Sequence, residues 1–515
     1  YRYSARAWEM EQRPTVSPHD CVGSNMYAHV LRGTIKRIVP RANEAINETW
    51  LADRDRYSYE GVYSSDRLQR PRIKESGEWR ELDWEEALSI VAEKLRGADA
   101  DKVGMLASPS VTVEEAHLLS RLAGYLGTSN IDSRLGRRDF SDQDNDPVFP
   151  WLGCDIADLE SQDAIFVAGS NVRHEAPIIA HRLRKAALAG AGVSFASSVE
   201  QEYFFDVANY LSGKGLLAML CEVAVAAANG KSLPDSVAGL CDGVSPSDTA
   251  KAIAASLSDA ESALVLLGNI AGRHGASAAV RALAASIAEN TGAKLGFLSE
   301  GANSAGAQLA GLLPHRGQGG VVRDVAGLDV NAMLDAALDA VVLVNAEPDV
   351  DLVAYEDATG KLAGQKFVVA LTPFESDALF EAADLLLPIG TFAETSGTYV
   401  NVAGTWQSFG GVANPVGESR PTWKVLRVLG NLVEAPDFDY VTSEDVLGEF
   451  RSELGEITPD NSIGSGGTIA PTNGADLPAA EIDTPLYSVD NVVRRATALQ
   501  LTAEARRAAG EGDAS

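Results

Sequence analysis

The chain has 515 residues, several times the ~150 residues of a typical domain, so we expect several packed units and a large core. Its 43 basic and 72 acidic side chains give a net charge of −29, which argues against nucleic-acid binding and favours a soluble protein or a basic partner. The longest uncharged stretch, 395–417, is interrupted by Gly, Ser, Thr, Asn and Pro, so direct membrane insertion is not expected.

The N-terminal region differs in charge from the rest of the chain. Residues 1–80 hold 14 basic and 11 acidic side chains, whereas the remainder holds 29 and 61. This asymmetry is typical of a solvated acidic surface, and it also allows the basic portion to dock on something acidic. The first residues contain neither Met nor an apolar run, so we expect no signal peptide and a chain cut from a longer one.

The first elements in chain order predict a small β-containing domain. Two alternating runs, 26–31 and 34–39, meet at Arg32-Gly33 and predict a β-hairpin. An acidic first turn after Asp83 predicts a helix that continues to about Arg96.

From residue 100 onward, short apolar runs alternate with Ala-rich segments of helical length, which predicts an α/β fold with two Rossmann-like parallel-sheet units. The predicted strands are 103–107, 164–168, 192–196, 263–267, 294–298, 340–344, 366–371 and 385–388. The predicted helices between them include 113–126, 176–189, 216–228, 276–290 and 351–363.

These elements predict a division into a small N-terminal domain, a first unit interrupted by a second, and a C-terminal tail. The predicted ranges are 1–80 for the small β-rich domain, 81–155 for the first α/β segment, 156–290 for the second unit, 291–440 for the segment completing the first unit, and 441–515 for a linker and C-terminal helix. Gly, Ser, Thr, Asn and Pro are concentrated in 459–478, which predicts a flexible linker, and 488–509 predicts a terminal helix.

Few residues carry recognisable chemistry. Gly169-Ser170-Asn171 follows a strand and is the best candidate for a phosphate-binding turn, but no complete Gly-x-Gly-x-x-Gly or Walker loop is present. His174 and His181 are seven residues apart, two helical turns, and lack a third ligand, so a metal pair is not expected. The four cysteines have no regular spacing, and no nucleophile with a His/Asp arrangement is identifiable.

An ordered set of motifs resembles the molybdopterin oxidoreductase superfamily. The motifs are DWEEAL at 83–88, GSN at 169–171, ADLLLP at 383–388, GTYVN at 397–401 and GTWQ at 404–407. Further motifs, SPHDCVGSN at 17–25, EAINETW at 44–50, GANSAGA at 301–307, LPHR at 313–316 and VRRA at 493–496, are similar to those of the G-subunit family of bacterial NADH-quinone oxidoreductases, respiratory complex I.

The resemblance implies where cofactors are expected. In the G-subunit family, 2Fe-2S and 4Fe-4S clusters lie in an N-terminal domain, and we expect this chain to begin after that domain and to hold no cofactor itself. The superfamily's additional four-iron cluster needs four cysteines, and those positions here are Ser17, Asp20, Ser24 and Ala52. We therefore expect vestigial cluster positions, with Cys21 one residue out of register.

The resemblance also implies a molybdenum ligand near 133–138. Gly136 and two arginines stand there, flanked by Ser133 and Asp139. The superfamily's Asp-Pro-Arg signature, expected near 196–198, is absent. No catalytic, cofactor-binding or metal residue is therefore assigned.

Two functional hypotheses follow from the resemblance. The first is a structural, cofactor-free portion of the G subunit that stabilises the peripheral electron-transfer arm on the cytoplasmic face of the bacterial inner membrane, in contact with other peripheral-arm subunits and with no active site of its own. Charge changes at Arg54, Arg56 and Arg67 would then weaken the association between subunits. The alternative is an active molybdenum or tungsten pterin-dinucleotide oxidoreductase of the formate or nitrate type, and a nucleotide-binding regulatory role also stays open.

Overall fold

The computed structural model describes residues 5–462 and 482–510. The strands, in chain order, are β1 (Glu11–Val16), β2 (Asn25–Leu31), β3 (Thr34–Pro40), β4 (Arg72–Glu75), β5 (Glu78–Glu81), β6 (Val103–Ala107), β7 (Ile131–Asp132), β8 (Ala164–Ala168), β9 (Gly192–Ala196), β10 (Asn209–Leu211), β11 (Ala263–Leu267), β12 (Lys294–Phe297), β13 (Ala340–Val344), β14 (Val368–Thr372), β15 (Leu385–Pro388), β16 (Gly397–Val400) and β17 (Trp406–Phe409).

The α-helices of the described residues range from one turn to four. They are α1 (Asp53–Tyr57), α2 (Trp84–Gly97), α3 (Val113–Leu126), α4 (Val172–Glu175), α5 (Pro177–Ala189), α6 (Leu216–Ala228), α7 (Asp235–Ala238), α8 (Asp248–Asp259), α9 (Asn269–Gly272), α10 (Ser277–Thr291), α11 (Ser304–Leu309), α12 (Val330–Asp335), α13 (Pro348–Asp351), α14 (Ala358–Ala363), α15 (Asp377–Ala382), α16 (Thr422–Leu432), α17 (Ser443–Leu454), α18 (Asn491–Arg494), α19 (Thr497–Gln500) and α20 (Ala503–Ala508). None of these helices has both the length and the apolar character needed to cross a bilayer.

The N-terminal domain contains a three-stranded antiparallel sheet in the order β1-β2-β3. Arg32 and Gly33 both have positive φ, 52° and 80°, so they form the tight turn that matches the twist of a two-residue hairpin. Met26, Ala28 and Val30 are buried at alternate positions of β2. The predicted hairpin is thus confirmed.

The five-stranded sheet is entirely parallel, in the order β10-β9-β8-β11-β12. Its central strands β8 and β11 are buried along their whole length. Phe166 packs with residues of α6, α8 and α10 on one face, and Ile165 and Val167 pack with residues of α5 on the other. Burial on both faces explains why these strands are continuous apolar runs.

The seven-stranded sheet has the order β5-β4-β15-β14-β13-β6-β7. The strands from β15 to β7 are parallel, and the β4–β5 hairpin forms an antiparallel edge. The chain leaves this sheet after β7 and returns at β13, and the five-stranded sheet is formed by the segment between. Both parallel sheets therefore present the carboxyl ends of several strands.

The predicted strands lie at or within two residues of the observed ones, but two predicted helices are wrong. The helix predicted over 351–363 is divided into α13 and α14, because Asp357 has a φ of 51° and caps Gly360. The terminal helix predicted over 488–509 is three short helices, because the extended backbone at Ala496 and Thr502 starts α19 and α20. The predicted linker lies mostly outside the described residues, and the domain borders stay predictions.

Candidate functional site

A cavity lies where the carboxyl ends of the two parallel sheets meet. Its volume is about 410 Å³, and the turns after β6, β11, β12 and β13 contribute Ser108, Asn269, Ser299 and Asn345 to its lining. Ligands of open α/β sheets bind outside the carboxyl ends of the strands. This cleft is therefore the candidate functional site.

The turn after β8, predicted as a phosphate-binding turn, already holds a carboxylate of the protein. The Ser170 hydroxyl donates a hydrogen bond of 2.8 Å to Glu175. The backbone N–H groups of Asn171 and Asn269 donate to the same carboxylate at 3.1 Å and 2.9 Å. Burial raises the pKa of Glu175 to about 7, although these hydrogen bonds oppose the shift. The peptide N–H groups that would hold a phosphate are thus occupied.

A C-terminal segment, residues 482–495, crosses the cleft, and we call it the strap. On the side of the seven-stranded sheet, Arg494 Nη2 lies 2.8 Å from Glu347 and Arg494 Nη1 lies 3.0 Å from Asp351. The Asn491 amide donates to the side chain of Asn345 at 2.8 Å. Glu347 and Asn345 closely follow β13, so these contacts attach the strap to the carboxyl end of that strand.

The strap also contacts the five-stranded sheet and the N-terminal domain. Asp483 accepts a hydrogen bond of 2.9 Å from the Asn171 amide, and Arg273 donates to the Thr484 hydroxyl. His19 Nδ1 lies 2.6 Å from Asp490 Oδ2, and the His19 side chain is fully buried. The strap therefore connects all three regions across the cleft.

The four predicted cluster positions lie close to a buried ion pair. Asp20 accepts a 2.6 Å hydrogen bond from Arg54, whose side chain is 0% exposed. The Ser17 hydroxyl donates to Asp55 at 2.6 Å, and the buried Ser24 hydroxyl has no hydrogen-bond partner among the described residues. Ala52 is buried and precedes α1. Guanidinium, hydroxyl and methyl groups fill this region.

The segment expected to supply a molybdenum ligand is held by other contacts. A Cβ on Gly136 would lie 2.6 Å from Glu300 and 2.7 Å from Arg273, which form an ion pair. The Ser133 hydroxyl donates to a backbone carbonyl at 3.3 Å, and Asp139 accepts from the backbone N–H of Ala278 in the first turn of α10. None of the three predicted positions therefore presents a free ligand atom to the cleft.

The two histidines considered as a metal pair have separate partners. His174 lies 2.8 Å from Glu504, and the His181 ring packs at a tilt against Trp50 with ring centroids 5.4 Å apart. Among the described residues, the one compact set of possible metal ligands is His117 with Glu449 and Glu453, outside the cleft. Sequence spacing missed this set because α3 and α17 are far apart in the chain.

The sequence did not predict the contacts of the strap. The motif VRRA at 493–496 carries part of the family resemblance, and its two arginines contact Glu347 in the structure. A pair of arginines on a short amphipathic segment usually indicates a solvated surface, so nothing in the local pattern indicated the cleft.

The match to a family profile decides the classification. A profile described as molybdopterin oxidoreductase matches residues 67–432. The chain belongs to the molybdopterin oxidoreductase family. The fold class predicted from the sequence is thereby confirmed. Acetylene hydratase from Pelobacter acetylenicus is similar in structure, with a TM-score of 0.62, 14% identity, and coverage of 86% of this chain and 72% of that chain, which shows the shared fold.

Relatives by sequence support the second resemblance as well. The G subunit of NADH-quinone oxidoreductase from Rickettsia felis is 32% identical over 191 residues, 37% of this chain and 28% of the relative. The mitochondrial NADH-ubiquinone oxidoreductase 78 kDa subunit of Candida albicans is 26% identical over 472 residues, 89% of this chain and 57% of the relative. The predicted resemblance to the G subunit is confirmed. The matched part of the chain covers 28% and 57% of the length of these two relatives.

The expectation that no cofactor belongs to this chain is wrong, because the chain contains a domain of an iron–sulfur family. Residues 11–60 match a profile described as an NADH-ubiquinone oxidoreductase NDSU1/NuoG-like 4Fe-4S domain, so a domain of this iron–sulfur family is present in the chain. The prediction considered four ligand positions, whereas the profile reflects the pattern of the whole domain.

A cluster in that domain would require thiolate ligands. Cys21 is the one cysteine in 11–60, and a four-iron cluster is held by thiolates. Burial, followed by the charge of Asp20, raises the pKa of Cys21 to about 12. The residues present therefore do not fit a cluster held by four cysteines.

A pterin dinucleotide in the cleft would require groups that bind its phosphates. Such a ligand carries phosphates, which bind free peptide N–H groups at the ends of strands. Glu175 occupies those groups after β8 and β11, and the strap adds Asp483 and Asp490 to the lining. The cleft in this conformation does not fit an anionic dinucleotide.

Proposed function

We propose that this chain serves as the structural, molybdopterin oxidoreductase-like part of the G subunit of an NADH-quinone oxidoreductase, and that it stabilises the peripheral electron-transfer arm. The strap across the cleft is the observation that carries the proposal. An enzyme of this family needs an accessible cleft, whereas a structural domain gains from closing it. Redox chemistry would then belong to the assembled complex and not to the cleft.

The contacts of the strap support a mechanical role. The Arg494 side chain is 13% exposed and that of Glu347 is 4% exposed, so this ion pair is largely removed from water. Breaking such a pair by removing one partner costs about 3–5 kcal/mol, because a charge is left buried. The strap thus holds the two sheets and the N-terminal domain in one arrangement, which a scaffold for other subunits requires.

The partners proposed are other peripheral-arm subunits, on the cytoplasmic face of the bacterial inner membrane. The basic N-terminal domain supports this proposal, because its charge is opposite to that of the rest of the chain. The prediction of Arg54 and Arg67 as contact residues is wrong, since their side chains are 0% and 1% exposed and pair with Asp20 and Glu394. Arg56 is half-buried and stays a prediction, and the exposed Arg41 is the test position.

Two measurements test the proposal. Molybdenum and tungsten are measured by mass spectrometry, and released pterin by fluorescence, on the purified chain. We expect all three at background, whereas stoichiometric metal with pterin would overturn the structural role and favour the formate- or nitrate-type oxidoreductase.

Association is measured in parallel by co-purification with the neighbouring subunits at low ionic strength. We expect Arg41→Glu to weaken association and Arg96→Glu, the same charge reversal at an exposed site of α2, to leave it unchanged. Equal behaviour of the two variants would exclude the N-terminal domain as the docking surface.

A further inference from the structure

A second cavity, of about 310 Å³, lies between the N-terminal domain, α5 and the strap, and we call it the side cavity. Its walls come from α1, from α4 and α5, from the segment 203–205 that follows β9, and from Leu486 and Tyr487 of the strap. It shares no lining residue with the cavity of the cleft, so it is a separate site.

Three side chains that line the side cavity carry buried polar atoms without a hydrogen-bond partner in 5–462 and 482–510. These atoms are Arg54 Nε, His181 Nε2 and the Tyr203 hydroxyl oxygen. The Arg54 side chain is 0% exposed, and the Glu48 carboxylate is 3.7 Å from His181 Nε2, beyond hydrogen-bonding distance. The cavity of the cleft has one such atom, on Asp483. Because buried polar groups are almost always paired, three around one cavity point to a ligand.

All three groups can donate a proton to an acceptor in the side cavity. The Nε of an arginine always carries a hydrogen. Burial raises the pKa of Tyr203 well above its ordinary value, so the group stays a neutral hydroxyl. Burial also lowers the pKa of His181, and a neutral imidazole can donate from Nε2. The three groups therefore suit a ligand with several hydrogen-bond acceptors.

Two further arginines line the side cavity without an ion pair. Arg173 and Arg184 donate to backbone carbonyls of the segment 202–204, at 2.8 Å and 3.2 Å, and the described residues place no carboxylate within 4.0 Å of either. Arg54 is already paired, and Asp53 is the one acidic residue of the described lining and is exposed. Two unpaired guanidinium groups against one carboxylate leave one positive charge, which favours an anion with a single charge and disfavours a metal ion.

Aromatic rings form much of the wall of the side cavity. Phe204 is 71% exposed, and the Arg173 guanidinium lies 4.6 Å from the centroid of its ring. Tyr203 stacks on Phe195 with centroids 4.1 Å apart, and the Tyr487 ring belongs to the lining as well. Aromatic faces pack best against other flat rings. The ligand that fits these walls is therefore flat and apolar at one end.

We propose that the side cavity binds an aromatic monocarboxylate. Its ring packs on the aromatic wall. Its carboxylate accepts hydrogen bonds from the Tyr203 hydroxyl and from the unpaired nitrogens of Arg54 and His181, while Arg173 and Arg184 balance its charge. A volume of about 310 Å³ falls in the usual range for small-molecule sites. This inference goes beyond the structural role and does not depend on it.

The test uses the full chain and 2-naphthoate, a two-ring carboxylate. Isothermal titration at 150 mM NaCl is expected to give saturable binding of one 2-naphthoate per chain. 2-Naphthylmethanol keeps the rings and lacks the charge, and acetate keeps the charge and lacks the rings. We expect each to bind at least about tenfold more weakly, since each loses one half of the recognition. No saturable binding of 2-naphthoate, or equal binding of 2-naphthylmethanol, would overturn the inference.

Two variants locate the binding. Tyr203→Phe keeps the ring and removes the hydroxyl, and Arg184→Gln removes one unpaired charge. We expect each to weaken 2-naphthoate binding about tenfold, since each removes one hydrogen bond or ion pair to a charged group. Tyr125→Phe and Arg96→Gln are the matched controls at exposed positions of α3 and α2 outside the side cavity, and should leave binding unchanged. Full affinity in both Tyr203→Phe and Arg184→Gln would place the ligand elsewhere and overturn the inference.

Thermal unfolding distinguishes a lost ligand contact from a damaged fold. Because the Tyr203 hydroxyl has no partner among the described residues, Tyr203→Phe should not lower the melting temperature of the chain alone. It should reduce the rise in melting temperature that saturating 2-naphthoate produces in the unchanged chain. A lower melting temperature without 2-naphthoate would mean that the hydroxyl is paired inside the fold, which contradicts the inference. Molybdenum, tungsten and pterin contents bear on the structural role alone.

Discussion

The predicted cluster positions in the N-terminal domain and the cleft between the two parallel sheets are occupied by the protein's own side chains in different ways. In the N-terminal domain, Arg54 reaches Asp20, a partner 34 residues away, and the pair is almost fully buried. In the cleft, Asp483 and Asp490 contact partners 312 and 471 residues away, and a cavity of about 410 Å³ is left. The buried pair leaves its own side chains almost without exposed surface, whereas the strap leaves a cavity beside it.

The largest loss of stability is expected when the buried ion pair of the N-terminal domain is removed. Arg54→Ala leaves the buried carboxylate of Asp20 without its cation and removes hydrogen bonds to two backbone carbonyls. We expect the free energy of unfolding to fall by about 3–5 kcal/mol in urea denaturation. Arg41→Ala, at an exposed arginine of the same domain, should change it little. Similar losses in the two variants would contradict the importance of the buried pair.

A smaller loss of stability is expected when an ion pair of the strap is removed. Arg494→Ala removes the ion pairs to Glu347 and Asp351, and we expect a loss of about 3 kcal/mol because part of the site still reaches water. Hydrogen exchange should increase in 482–495 and remain unchanged in 11–60. Arg507→Ala, at an exposed arginine of α20, is the control. Faster exchange in both regions would mean that the contacts of the strap and the packing of the N-terminal domain are coupled.

The pH dependence of stability is expected to come from the cleft. Burial raises the pKa of Glu175 from 4.5 to about 7. A carboxyl group with a raised pKa stabilises the fold fully below 4.5, and this contribution is lost as the pH rises through 7. Glu175→Gln should therefore flatten the decline in the urea midpoint between pH 4.5 and 7. An unchanged slope would show that Glu175 is already ionised in the fold.

The smallest effect on stability is expected from His174, which contacts the first residues of the strap. Burial lowers the pKa of His174, but the carboxylates of Asp483 and Glu504 outweigh it, so the net shift is upward from 6.5. The contact thus stabilises fully below pH 6.5 and weakens as the pH rises through the raised value. His174→Gln should remove this dependence in hydrogen exchange of the strap above pH 6.5. A steeper dependence would mean that other groups control the contact.

Sequence patterns located the parallel strands because those strands are apolar throughout, as burial on both faces requires. They also located the turn at Gly169, but not its occupant. The carboxylate that occupies it belongs to Glu175 on the next helix, and its hydrogen bond to Asn269 depends on how β8 and β11 pair. The breaks in the helices predicted over 351–363 and 488–509 were missed for a similar reason, since single capping residues decide them.

By itself the sequence determined the fold class, the positions of the strands, the charge asymmetry and the resemblance to the G subunit. Only the tertiary structure decided that Arg54 is buried with Asp20, that residues 482–495 lie across the cleft, and that Arg54, His181 and Tyr203 line one cavity. The physical reason is the separation in sequence between the contacting residues. Periodicity and motifs report on neighbours within a few residues, whereas these contacts join segments up to 471 residues apart, and their electrostatics depend on burial that no local pattern contains.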